Sequence, residues 1–168
     1  MDSKAEIFIK RARTEINTGV ILLNASNNDI LLQFDIPKDE TFYSGAISHC
    51  YYSIFYSAKA MLLTKGIETE SPDVHRKTFD AFKVNFIDTG VLDAELLLIY
   101  KKIIIKADTL LEIFRVEKKK RGDFTYNTIA QANLDPAKES LENAKTFYKH
   151  INTFLIKIKD KQLEQNQR

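Results

Sequence analysis

The sequence predicts an all-α fold, and three observations predict it. Apolar residues recur at helical spacings of three and four along most of the chain, while runs alternating apolar and polar residues with period two are missing. Glycine and proline are scarce, five and three, and nearly all of them fall where the helical pattern breaks. The 168 residues, 44% hydrophobic and 29% charged, suit one domain with a sizeable core and are too few for two ordinary ones.

Each element follows from this pattern. The first helix, about Ser3 to Asn24, sets Ile9, Ala12, Ile16, Val20 and Leu23 on one face, with Lys10, Arg11, Arg13 and Glu15 largely elsewhere. Ser26-Asn27-Asn28-Asp29 supplies turn residues, a short apolar connector runs from Ile30 to Ile36, and Pro37-Lys38-Asp39 makes another break. A second helix is expected from Asp39 or Glu40 to Gly66. Ser71-Pro72-Asp73 then reads as a helix start with proline in the first turn, and Phe79, Phe82 and Phe86 continue that short helix to Gly90. The aliphatic density of ELLLIYKKIIIKADTLLEIF predicts a long, central third helix over about Leu92 to Lys120, stopping before Gly122. Asp135-Pro136 opens the last helix, which turns Leu141, Ala144, Phe147 or Tyr148, Ile151, Phe154 or Leu155, and Ile158 inward. The expected architecture is a four-helix up-and-down antiparallel bundle with an extra short helix before the long third one. It occupies residues 1–160 as a single domain, followed by a polar tail, 161–168, that frays.

Composition excludes several classes. A net charge of +2 carries no global argument for nucleic acid or membrane, so any such argument must be local. Cys50, the single cysteine, cannot form an internal disulfide, and no Cys/His grouping has zinc spacing. The first dozen residues mix charges where a secretory signal would be apolar, and the stretch Leu96 to Ile105 is too short and too interrupted by Lys101 and Lys102 to span a bilayer. The expectation is a cytoplasmic protein. No phosphate-cradling glycine loop, nucleophile elbow, paired-carboxylate signature or HExxH occurs, so neither a metal nor a cofactor is expected.

The second helix carries two stripes. Tyr43, Ile47, Tyr51, Ile54, Ala58 and Met61 or Leu62 form the expected core face. Phe42, Gly45, His49, Tyr52 and Tyr56 form a second, aromatic one. A helix apolar on both sides is buried on both sides, which makes His49, Tyr52 and Tyr56 candidates for a homodimer interface; packing within the monomer and a base-stacking surface are the alternatives.

The strongest charge feature is FRVEKKKRGDFTY, residues 114–126, where Arg115, Lys118, Lys119, Lys120 and Arg121 place five cations within seven residues. A helix C-terminus attracts some positive charge, but its dipole does not need five cations. A fixed guanidinium can instead grip a phosphate at two points, and mobile lysines add attraction that weakens with salt. His49, His75 and His150 all lie outside this run. His75, just past a helix start, is expected to face solvent, and each histidine more often serves structure than catalysis.

The segment GAISHCYYSIFYSAKAMLLTKGIETESPDVHRKT resembles the second helix and following loop of HEPN domain proteins in its Tyr-Tyr pair, alanine-rich turns, apolar run before Lys-Gly and Ser-Pro-x-x-His-Arg loop. FIDTGVLDAE looks like the family's short linker, and RGDFTYNTIAQANLDPAKESLENAKTFYKHI like its Gly-Asp-Phe turn and final helix, so the likeness runs from about residue 4 to 158. The resemblance implies a dimerising helical bundle with a composite site at the subunit interface. Many members are toxins paired with a nucleotidyltransferase antitoxin, and many cut single-stranded RNA without metal, using an arginine followed four to six residues later by histidine. On that pattern Arg115 matches the phosphate-holding arginine. Arg121 stands where histidine or tyrosine is expected, and arginine, which stays protonated, is a poor general base. Tyr126 follows five residues beyond Arg121. The combined expectation is an RNA- or nucleotide-binding protein in which Arg115 and Arg121 form the catalytic pair of any endoribonuclease, with Lys118, Lys119, Lys120 and Tyr126 binding phosphate and RNA. The alternative is a non-catalytic helical partner of a nucleotidyltransferase.

Overall fold

A computed structural model describes residues 3–104 and 133–166. The elements, in order, are α1 (Ser3–Ala25), a 3-10 helix (Asp29–Phe34), α2 (Tyr43–Leu63), α3 (Val74–Phe82) continuing into one π-helical turn (Lys83–Ile87), α4 (residues 94–104) and α5 (Leu134–Asn166). The described part of the chain is all-α, and no strand occurs among the described residues.

Helix directions follow from which ends meet. Glu15 of α1 bonds His49 near the start of α2, Phe8 stacks on Tyr56 farther along, and Lys4 pairs with Glu68 beyond the end of α2, so α1 and α2 are antiparallel. Lys159 reaches Glu6 at 3.0 Å, whereas Leu141, early in α5, would lie 3.8 Å from a Cβ on Gly19 toward the other end of α1, so α1 and α5 are antiparallel too. Small residues allow the close α1–α2 approach: Ala5, Ala12 and Gly19 are buried, and a Cβ on Gly19 would lie 3.3 Å from Cys50 Sγ and 3.5 Å from the Ala46 carbonyl oxygen.

The central element is α2. Ala46, Ile47, Cys50, Ile54, Ala58, Met61 and Leu62 are buried, as are Ser53, Phe55, Ser57 and Leu63, which covers nearly the whole circumference of its second half. Against it pack Ile16 of α1, Phe82 and Phe86 of the α3 region, Leu96, Ile99, Tyr100 and Ile103 of α4, and Leu141, Ala144, Phe147, Ile151 and Leu155 of α5. The α4 and α5 sets keep the three-and-four spacing that places them on one helix face. At the middle, the Phe82 ring meets Phe86, Tyr100 and Phe147 at centroid distances of 5.7, 6.1 and 5.5 Å.

Several boundaries differ from the sequence expectation. The second helix begins at Tyr43 because residues before it are spent on anchoring: Glu40 N–H closes a turn on the Pro37 carbonyl, and Phe42 N–H donates to Ser26 Oγ at 2.7 Å. It ends in a Schellman motif, with Gly66 N–H on the Leu63 carbonyl, Ile67 N–H on that of Leu62, and Gly66 at φ 69°. Pro72 stays outside α3, whose preceding residue, Asp73, takes a left-handed φ of 59° that aspartate tolerates better than most side chains. Leu134, rather than Asp135, opens α5; Pro136 still sits in the first turn, where a missing N–H costs no intrahelical bond. The last helix also runs on through residues 161–166 of the expected polar tail, whose Lys, Gln, Leu and Glu are good helix formers.

Candidate functional site

Antiparallel docking of α1 on α2 builds a ladder of side chains along one face. The Glu15 carboxylate lies 2.6 Å from His49 Nδ1 and 3.8 Å from Arg11 Nε. One turn on, the Arg11 guanidinium sits 4.6 Å from the centroid of the Tyr56 ring, whose far neighbour is Phe8 at 5.9 Å in a stacked arrangement. Burial raises the Tyr56 phenol pKa; Arg11 opposes that shift, and Glu15 and Tyr52 add to it. Next, the Lys59 ammonium donates to the Thr69 carbonyl at 3.0 Å and lies 5.1 Å from the Phe8 ring centroid. Its pKa is lowered by burial and then by Lys4, with Glu68 and Glu70 opposing.

The second stripe is therefore largely occupied within the chain. His49 and Tyr56 are engaged by α1, and a Cβ on Gly45 would lie 3.1 Å from Leu22. Tyr52 is the member left open, at 39% exposure, with its ring 6.3 Å from Tyr56 and 5.4 Å from Tyr51. Monomer packing thus accounts for a good part of the aromatic pattern on this face. The polar side of α1, set apart from the core in the sequence expectation, makes these contacts.

Beside Tyr52 lies a pairing that sequence reasoning missed. His75 does not simply face solvent: it is half-buried, its ring 4.3 Å from Phe55, and its Nδ1 lies 2.6 Å from the Tyr51 hydroxyl. Tyr51 and His75 are 24 positions apart, and neither has a local signature of the contact. A fastened loop brings them together. Thr78 donates its hydroxyl proton to the Val74 carbonyl at 2.7 Å, so the buried 2.6 Å contact between Thr69 and Thr78 has Thr69 as donor. With Lys59 held on the Thr69 carbonyl, this ties the 64–73 loop both to α2 and to the first turn of α3, where His75 stands. The third histidine, His150, has Nδ1 2.8 Å from the Thr146 carbonyl within α5.

The basic stretch falls elsewhere. Arg115, Lys118, Lys119, Lys120, Arg121 and Tyr126 lie outside the described residues. Among the described residues no group of three or more His, Cys, Asp or Glu side chains could hold a metal ion, and no helix is long and apolar enough to cross a membrane.

Residues 36–154 match the family model of the HEPN domain, well over half of the chain. The chain belongs to the HEPN domain family. Among relatives of this HEPN protein, two from Methanocaldococcus jannaschii carry the name "Putative toxin": one is 47% identical over 55 residues, 33% of this chain and 35% of that protein, and the other 35% identical over 72 residues, 43% and 48%. A "UPF0332 protein" of Thermotoga maritima is 26% identical over 122 residues, 73% of this chain and 79% of its own. The chain thus spans about a third of one toxin-named relative and about half of the other. No solved structure matches at the same stringency.

Proposed function

We propose that this HEPN protein is the toxin-like component of a cytoplasmic two-component system, that it binds single-stranded RNA or a nucleotide as a homodimer, and that it cleaves RNA without metal. The observation that carries the reading is the HEPN match over residues 36–154, which includes the whole basic stretch from Arg115 to Tyr126. The names of the two Methanocaldococcus relatives support the toxin-like part. In this reading Arg115 holds the scissile phosphate through paired charge-assisted hydrogen bonds, Arg121 adds electrostatic stabilisation, and Lys118, Lys119 and Lys120 supply salt-sensitive attraction, with Tyr126 alongside. The exposed Tyr52, flanked by His49 and Tyr56, is the ring offered to the second copy. A nucleotidyltransferase antitoxin is the partner in the system. No cofactor is required.

Arg121 favours a second reading. A residue that keeps its proton cannot act as general base, so a non-catalytic partner of a nucleotidyltransferase would tolerate it where a nuclease depending on that position would not. One experiment separates the two. The purified protein, incubated with single-stranded RNA in a chelator, should cut it, and Arg115→Ala should abolish cutting and weaken RNA binding about tenfold, as expected for loss of a charge-assisted hydrogen bond. Retention of RNA without cutting supports the second reading, and an Arg115→Ala variant indistinguishable from the parent removes Arg115 from the site.

A further inference from the structure

We propose that the 3-10 helix Asp29–Phe34 is the docking ridge for the partner protein of the two-component system, and that the partner meets it with an apolar pocket rimmed by lysine or arginine; the inference rests on the two-component reading above. Three observations carry it. The first is a surplus of exposed apolar residues. Of the four in this helix only Leu31 is buried, while Ile30, Leu32 and Phe34 are 47%, 54% and 67% exposed. A 3-10 helix turns every three residues and rises about 2 Å with each, so all three project from about 8 Å of ridge. The core does not use them. Large apolar side chains gathered on a surface mark contacts with other proteins.

The second observation is that the ridge is held in place before anything binds. Ser26 Oγ accepts from Phe42 N–H at 2.7 Å and donates to the Leu22 carbonyl at 2.8 Å, and Asn27 Oδ1 accepts from the Tyr43 hydroxyl at 3.0 Å, so the segment is clamped between the end of α1 and the start of α2. Asp35 closes the 3-10 helix in a left-handed turn, with its N–H on the Leu32 carbonyl and Ile36 N–H on that of Leu31. A ridge already fixed loses little freedom on binding.

The third is charge, and it selects the occupant. Between residues 29 and 40 stand Asp29, Asp35, Asp39 and Glu40 against the single Lys38, in a chain whose net charge is +2. Lys38 is paired with Asp29 at 2.7 Å, and Asp35, Asp39 and Glu40 are exposed. This rim repels the phosphates of nucleic acid and of anionic lipid. A second copy docking here by two-fold symmetry would set the same acids against themselves. A different protein, with cations around an apolar pocket, is steered in by the rim and held by the ridge.

The test uses the full chain, the nucleotidyltransferase antitoxin named above as the immobilised probe, and the rates at which the two associate and part. Leu32→Ala with Phe34→Ala should weaken binding by about thirtyfold or more, the scale of a central apolar anchor. The urea unfolding midpoint should stay where it is, because both side chains are exposed. Neutralising the rim with Asp35→Asn, Asp39→Asn and Glu40→Gln should slow association by about tenfold at low salt and leave dissociation within about twofold. Added salt should erase that difference, and asparagine keeps the left-handed turn at position 35. Binding by the apolar variant within about threefold of the parent refutes the ridge, and faster association by the neutralised variant refutes the basic rim. If the apolar variant instead turns a dimer into a monomer in sedimentation, a second copy covers the ridge and the proposal falls. A parent that does not bind the nucleotidyltransferase overturns the proposal together with the partner reading, whereas one that binds it equally well with and without the ridge residues overturns the proposal alone.

Discussion

Replacing Phe82 by alanine tests the core most directly. Its side chain is fully buried, with 0% exposure, and contacts three other rings, those of Phe86, Tyr100 and Phe147. Burying a phenylalanine side chain is worth about 1.5–3 kcal/mol by transfer alone, and the cavity left by truncation brings the cost to about 3–5 kcal/mol. Three lost ring pairs, each about 0.5–1.5 kcal/mol beyond area, place this site at the upper end, while alanine's better helix propensity returns about 0.5 kcal/mol. The expected loss is about 4 kcal/mol, a large share of the roughly 5–15 kcal/mol that keeps a typical domain folded. With a urea dependence of about 2 kcal/mol per molar, the unfolding midpoint should fall by about 2 M. Phe34→Ala is the control, the same chemical change on a side chain 67% exposed, and it should stay within about 0.5 kcal/mol of the parent. Equal losses for the two variants, or a Phe82→Ala loss below about 2 kcal/mol, would refute the four-ring core.

Further outcomes follow from two single residues, Cys50 and Gly66. Burial pushes the Cys50 thiol from its ordinary 9.0 up to about 12, against a partial opposing pull from Lys145, so it should resist a thiol reagent at pH 8 in the native protein and react once urea unfolds it. Because the unfolded thiol ionises first, native stability should decline between about pH 9 and 12, by at most about 1.4 kcal/mol per pH unit from this group, and Cys50→Ala should remove that part of the slope. Gly66→Ala should cost about 1 kcal/mol in thermal or urea unfolding purely through its backbone, since φ is 69° and nothing lies within 4 Å of the added methyl; Gly66→Asn, which tolerates that conformation better, should recover part of it.

What the sequence determined by itself is the part governed by local spacing. The all-α class, the core face of α2 through Ile47, Ile54, Ala58 and Met61, and the inward set Leu141, Ala144, Phe147 and Ile151 of α5 are periodic, and periodicity is a property of neighbours along the chain. The same holds for the stop at Gly66, where one residue type answers one backbone conformation. Family membership was legible from quoted motifs of α2 and its loop, and the HEPN match over residues 36–154 bears it out. Helix starts were less legible, because Phe42 N–H finds its acceptor in Ser26, sixteen residues earlier, and Asp73 meets the chain in a left-handed turn. Only the tertiary structure decided what covers the aromatic stripe. Glu15, Arg11 and Phe8 reach His49 and Tyr56 because α1 lies antiparallel and close to α2, an approach opened by Gly19 and the small residues around it. Only the tertiary structure joins Tyr51 to His75, since a hydrogen bond across 24 residues depends on how a loop closes, and loop closure leaves no period in the sequence.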